Sequence, residues 1–190
     1  GEGTQRQFRI ADINPGKLTR ILITHWHGDH VLGIPGLLQT LVLNGYNKTL
    51  HIYGPRGTKQ FMDLIFQMFV FVGRIKLEIH ELESGKFLET ADFSLLSYPL
   101  NHSARTVGYV FEEHEKRRMN KSKLKKFGLQ GKIISELQHG KAVEKDGKII
   151  RPEDVSEMAR GKKLAFLWDT AVCDNCYNAA ENADLLVIES

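Results

Sequence analysis

Arg20-Ile21-Leu22-Ile23-Thr24-His25-Trp26-His27-Gly28-Asp29-His30 is the stretch on which the reading of this chain turns. Residues 20–24 form a short β-branched run that predicts a buried strand. The strand runs directly into three histidines and an aspartate. Imidazole and carboxylate are ligands that zinc accepts, at about 2.0–2.2 Å. On a sharp loop at the end of a strand, His25 and His27 can converge on one metal while Asp29 and His30 face a second. The competing reading is a set of surface histidines beside a helix whose N-cap is Asp29. Clustering at ligand spacing favours the metal.

One loop cannot complete two sites, so distant ligands are required. His102 follows a strand expected over 93–100, and Asp169 stands where a strand over 163–168 ends. The carboxyl ends of strands are where α/β folds place functional groups.

Outward from the cluster, Val31, Ile34, Leu37, Leu38, Leu41 and Val42 recur at helical spacing despite Gly33, Pro35 and Gly36. Further strands are expected over 50–53, 75–82, 107–111 and 184–189, with a helix over 174–182. The apolar stretch 61–72 contains Asp63 and is well short of the roughly 20 residues a spanning helix needs. It predicts a buried helix, with a subunit contact as a further role, and no membrane association. Strands interspersed with helices give an α/β layered domain. A length of 190 residues suits one domain, 1–190, with a sizeable core.

Between about 113 and 155 the aliphatic periodicity fades, and this segment is the one candidate insertion. From His114 to Lys132 it carries Lys116, Arg117, Arg118, Lys121, Lys123, Lys125, Lys126 and Lys132 against a single acid, Glu115. The net charge of +3 does not argue for nucleic acid, but this local concentration does. A solvated face is the other reading of such a run. Cys173 and Cys176 cannot build a disulfide framework, and a reducing cytoplasm is the simplest setting. Their spacing also suits half a zinc site or a redox pair, although small apolar fillers at a helix start is the simpler reading. Trp26 and Trp168 flank ligands and either wall the site or stack on a base. Arg105 is a candidate phosphate contact or an ordinary surface residue.

Thr24-His25-Trp26-His27-Gly28-Asp29-His30 followed by Gly33-Ile34-Pro35-Gly36-Leu37-Leu38 resembles the ribonuclease Z family, tRNA 3′-processing endoribonucleases of the metallo-β-lactamase superfamily. Gly1-Glu2-Gly3-Thr4-Gln5 is similar to the end of a segment that precedes this motif in the family. Asn101-His102-Ser103 with Gly108-Tyr109, and Trp168-Asp169-Thr170 with Ala183-Asp184-Leu185-Leu186, resemble its later motifs. Only the insertion lies outside the resemblance. The bare His-x-His-x-Asp-His pattern marks the superfamily, and the extension through Leu38 points to ribonuclease Z.

The resemblance implies an αββα sandwich, incomplete at both ends, and two zinc ions per complete active site. His25, His27 and His102 would bind the first zinc, Asp29 and His30 the second, and Asp169 would bridge them. Asp29 would also accept a proton from the attacking water. The substrate would be precursor tRNA, cut to release its 3′ trailer. The 113–155 arm would grip the tRNA, in a homodimer where one subunit's arm serves the other's site. Two family histidines have no counterpart in this segment: one completing the second zinc site and one protonating the leaving oxygen. Both ends of the chain therefore read as cuts through a longer domain, with weak binding of the second zinc expected. The arm also lacks the family's Gly-Pro motif, since Gly128-Leu129-Gln130-Gly131 holds no proline. The alternatives are a small-substrate phosphodiesterase or arylsulfatase of the same superfamily, or an inactive truncated chain that binds RNA.

Overall fold

The structure is a computed structural model, and it describes residues 1–71 and 75–189. Val72, at the end of the apolar stretch, and Ser190 lie outside the described residues. In chain order the elements begin with α1 (Thr4–Ile10), a 3-10 turn (Pro15–Lys17), β1 (Arg20–Leu22), α2 (Gly28–Val31), α3 (Gly33–Leu43), β2 (Thr49–Pro55) and α4 (Thr58–Met68). β3 (Lys76–Leu82), β4 (Gly85–Glu89), β5 (Phe93–Leu100), β6 (Thr106–Glu113) and β7 (Lys116–Met119) follow. Then come α5 (Lys121–Lys126), α6 (Lys132–Gln138), β8 (Val143–Lys145), β9 (Lys148–Ile150), α7 (Pro152–Val155) and β10 (Ser156–Ala159). The chain closes with β11 (Lys163–Leu167), α8 (Asp174–Ala180) and β12 (Leu185–Ile188).

Two compact units result. The first comprises Gly1–Thr90, Ser94–Phe111 and Lys163–Ser190, and the second Ala91–Phe93 with Glu112–Lys162. In the first unit, β1, β2 and β3 form a parallel three-stranded sheet. A five-stranded sheet runs in the order β12-β11-β6-β5-β4.

Alternation along the strands decides the layers, because successive side chains point to opposite faces. On one face of the three-stranded sheet, Ile21, Ile23, Leu50, Ile52, Leu77 and Ile79 pack with Ile34, Leu37, Leu38 and Leu41 of α3 and Met62 of α4. On the other face, Leu22 and Tyr53 meet Val107 and Tyr109 of β6. Residues one step along β6 face away again: Val110 joins Ala165, Leu167, Cys176 and Ala179 beneath α8. The layer order is helix, sheet, sheet, helix, the αββα sandwich expected from the sequence.

Glycines inside α3 and β6 serve close packing. A Cβ on Gly36 would lie 2.6 Å from Nε2 of Gln5, so the Gln5 side chain of α1 lies where a side chain on α3 would otherwise stand. A Cβ on Gly108 would lie 2.6 Å from Cδ2 of Leu167.

The apolar stretch from Phe61 is corrected. Of α4, only Thr58 and Met62 are buried; Phe61, Leu64, Phe66 and Met68 are exposed, as are Phe69 and Val70 beyond it. Its apolar residues occupy more of the helix circumference than one sheet face can cover. Among the described residues no helix is long and apolar enough to cross a membrane.

The second unit has its own small core of Leu124, Leu129, Leu137, Val143, Ile150 and Val155. β7 pairs antiparallel with β10, and β8 with β9. Its core residues come one each from elements of three to seven residues, with Leu129 from the loop between α5 and α6, too scattered to show a period in the sequence.

Candidate metal centre

Thr24 to His30 form the turn that leaves β1. Its backbone is fixed on both sides: the Ile23 N–H donates to the Tyr53 carbonyl at 2.8 Å, and the Val107 N–H donates to the Thr24 carbonyl at 2.9 Å. The buried Tyr109 hydroxyl donates to the Ile23 carbonyl at 2.7 Å. A strand held this firmly presents His25 at a defined point, fully buried. His27 then takes the N-cap position of α2, which places Asp29 and His30 in the first turn of that helix. Trp26 donates its indole N–H to Thr58 Oγ1 at 3.0 Å and stacks on Phe61, so packing accounts for that ring.

His102 arrives from the end of β5 and Asp169 from the end of β11. The two loops are tied together by an Asn101–Ala171 bridge, and the Asn101 N–H donates to Thr170 Oγ1 at 3.2 Å. The structure thus brings together all six residues the sequence singled out as ligands. Two groups form, His25–His27–His102–Asp169 and Asp29–His30–Asp169, the ligand atoms of each lying within 4.8 Å of one another. Asp169 belongs to both. Its Oδ2 lies 3.8 Å from His25 Nε2, 3.5 Å from His30 Nε2 and 4.0 Å from His102 Nε2. His102 Nε2 is 3.2 Å from His27 Nδ1, and Asp29 Oδ2 is 3.3 Å from His30 Nε2.

The donor set fits metal ions. Buried polar groups without partners are rare and costly. Here the buried Nε2 of His25 and Oδ1 of Asp169 have no hydrogen-bond partner, and both belong to this cluster. Burial, with His30 close by, drops the His25 pKa to about 4, against the opposing pull of Asp169. The ring is therefore neutral at physiological pH. Its Nδ1 lies 3.2 Å from Thr24 Oγ1. A proton on Nδ1, donated to that hydroxyl, leaves the Nε2 lone pair free for a cation, the usual orienting role of a ligand's outer partner.

The sequence reading quoted Thr24, Tyr109 and Thr170 within the motifs of the resemblance but gave them no role; in the structure they position the cluster without contributing atoms to it. Beside His27, Arg105 lines a cavity of about 410 Å³ together with Trp26, Arg56, Gly57 and Phe61. The thiols of Cys173 and Cys176 stand 3.6 Å apart at the start of α8, with Cys176 buried in the layer beneath it.

The basic residues fall in the second unit. Lys116 pairs with Glu113 at 3.1 Å and with Asp92 at 3.3 Å, and Arg117 donates to Ser156 Oγ at 3.0 Å. Arg118 is exposed on β7, and Lys121, Lys123, Lys125 and Lys126 are all exposed on α5.

The chain is 40% identical to the Ribonuclease Z of Methanothermobacter thermautotrophicus over 192 residues, covering all of this chain and 62% of that protein. It is also 40% identical to the Ribonuclease Z of Thermococcus kodakarensis, covering all of this chain and 61% of the relative. It therefore spans about three fifths of the length of these relatives. Among solved structures, the short form of human tRNase Z superposes with a TM-score of 0.64 at 22% identity, covering 98% of this chain and 62% of that one. A long-form RNase Z from yeast superposes with a TM-score of 0.60 at 11% identity, over all of this chain and 28% of that one. These two likenesses bear on the fold alone. Residues 3–119 match the family model of the beta-lactamase superfamily domain. By that match, over more than half of its length, and by its layered fold, this chain belongs to the beta-lactamase superfamily.

Proposed function

We propose that this chain carries the active centre of a zinc-dependent endoribonuclease of the ribonuclease Z type, which cleaves the 3′ trailer from precursor tRNA. The observation that carries the proposal is the position of the Asp169 carboxylate, common to a three-histidine group and to the Asp29–His30 pair. The similarity to Ribonuclease Z proteins, which runs the whole of this chain and about three fifths of theirs, supports this reaction over the others of the superfamily.

Two zinc ions held here would supply Lewis-acid polarisation of the phosphoryl group and acidify the attacking water. The chain's residues provide the rest. His25, His27 and His102 would hold one cation and Asp29 and His30 the other, with Asp169 available to both. The Asp29 side chain is 77% exposed, within reach of an incoming substrate and water, and serves as proton acceptor. Arg56 and Arg105, in the cavity next to His27, offer guanidinium donors to the phosphates flanking the cut. Lys121, Lys123, Lys125 and Lys126 on α5 supply the charge by which the arm binds RNA. A homodimer acting on tRNA in the cytoplasm follows from the same reading.

The test is cleavage of a precursor tRNA with an end-labelled trailer, comparing the unaltered protein with Asp169→Ala. Release of the intact trailer and a tRNA 3′-hydroxyl, abolished by the substitution, is the expected result. Turnover of a chromogenic phosphodiester with no cleavage of precursor tRNA would instead identify a small-substrate hydrolase.

A further inference from the structure

A second group of metal-ligating side chains lies outside the centre described above. His51 on β2 pairs in register with Glu78 on β3, and His80 follows two residues later on the same face. His51 Nδ1 is 3.2 Å from His80 Nε2 and 3.3 Å from Glu78 Oε2. All three ligand atoms lie within 4.8 Å of one another. Arg20, at the start of β1, is level with His51 in the parallel sheet. The His25 turn comes five residues later, about 16 Å further along the strand direction. The two groups are therefore separate.

Hydrogen bonding alone does not engage all three atoms at once. His51 Nδ1 faces a ring nitrogen and a carboxylate oxygen together. A proton on His51 Nδ1 can serve one of those acceptors well, while a proton on His80 Nε2 leaves the carboxylate facing a lone pair. A single cation satisfies all three atoms. The spacing suits it: ligands at about 2.0–2.1 Å in tetrahedral array stand about 3.3–3.4 Å apart. The rings are also held in place before any cation arrives. Tyr53 stacks on His80 at 4.6 Å and 16°, and His51 stacks on His80 at 5.5 Å and 23°. Leu50 and Ile52, on either side of His51 in β2, are fully buried on the opposite face, which fixes the strand that carries His51.

We propose that His51, Glu78 and His80 form a separate site for a divalent transition-metal cation on the β2–β3 sheet. Two imidazoles and one carboxylate suit zinc, cobalt or nickel and leave a coordination position to water. Lys76, 4.0 Å from Glu78 Oε1, and Lys59, close to His80, oppose the cation's charge. The site therefore fills after the His25 centre.

The experiment is a zinc chloride titration of the 190-residue chain labelled with ¹⁵N-histidine, following ring nitrogen signals, with bound zinc counted by equilibrium dialysis. The expected result is a joint, saturable shift of the His51 and His80 signals after those of His25 and His102 have moved. Glu78→Gln should weaken that later step at least about tenfold without altering the earlier one. His25→Ala should impair the earlier step and leave the later one. If His80→Ala fails to fold, as judged by circular dichroism, Glu78→Gln decides the matter. Unmoved His51 and His80 signals in excess zinc, or identical zinc uptake by Glu78→Gln, would overturn the proposal.

Discussion

Nε2 of His25 faces Oδ2 of Asp169 at 3.8 Å, too far for a hydrogen bond and near enough for one cation to join them. The histidine comes from the end of β1 and the aspartate from the end of β11, so the two sheets must be packed before the pair exists. A cation held between them would be bound only by the folded state and would stabilise it.

Thr24 orients the buried ligand through the 3.2 Å contact of its hydroxyl with His25 Nδ1. Thr24→Val keeps the shape and removes the oxygen. Zinc affinity at the three-histidine group is expected to fall about 10–100-fold, the usual effect of losing an outer partner. Competition with a chromogenic chelator measures it, and circular dichroism should show the fold retained.

His25 also predicts how the metal-free protein responds to acid. Its pKa is about 4 in the folded chain and 6.5 as a free side chain. Between those values the unfolded state binds the extra proton, so stability rises with pH. The His25 contribution is fully present above pH 6.5 and is lost as pH falls from 6.5 towards 4. Thermal melts of metal-stripped protein should show a drop across this window that is reduced in His25→Gln.

Gly108 lies where β6 passes beneath Leu167 and Leu100. An added Cβ would stand 2.6 Å from Leu167 Cδ2, 3.0 Å from Leu100 Cδ1 and 3.2 Å from the Phe166 carbonyl oxygen. Gly108→Ala is expected to cost about 1–3 kcal/mol by overpacking. Urea unfolding would register this as a lower midpoint with an unchanged slope.

The basic residues divide by how they are engaged. Lys116 and Arg117 already have partners within the second unit, whereas the four lysines of α5 project from an exposed helix. Alanine at Lys121, Lys123, Lys125 and Lys126 should weaken RNA binding and flatten its salt dependence. The log–log slope should fall by about 0.7–0.9 for each phosphate that no longer has a lysine to neutralise it. Lys116→Ala should change the slope little.

Much of this was legible in the sequence, for identifiable reasons. The His25–His30 cluster concentrates ligands at a spacing that packing does not produce, and strand-end positions pointed to His102 and Asp169. The main strands announced themselves by runs such as Phe93–Leu100, read with its observed bounds. β4 went unread because Gly85–Glu89 carries two charged residues and a glycine within five positions. The core of the second unit was hidden because its aliphatic residues are scattered over short elements. The burial of the stretch from Phe61 was misjudged because apolar composition does not say which face is covered. His51 and His80 are brought together only by the parallel register of β2 on β3, which the sequence does not show.

The central claim is that Asp169 joins two metal positions. Anomalous diffraction at the zinc edge, from crystals of the zinc-loaded protein, tests it most directly. Two peaks are expected, each about 2.0–2.2 Å from an Asp169 oxygen, one facing His25, His27 and His102 and the other facing Asp29 and His30. Peaks that leave Asp169 outside ligand distance, or none beside the His25 turn, would contradict the account.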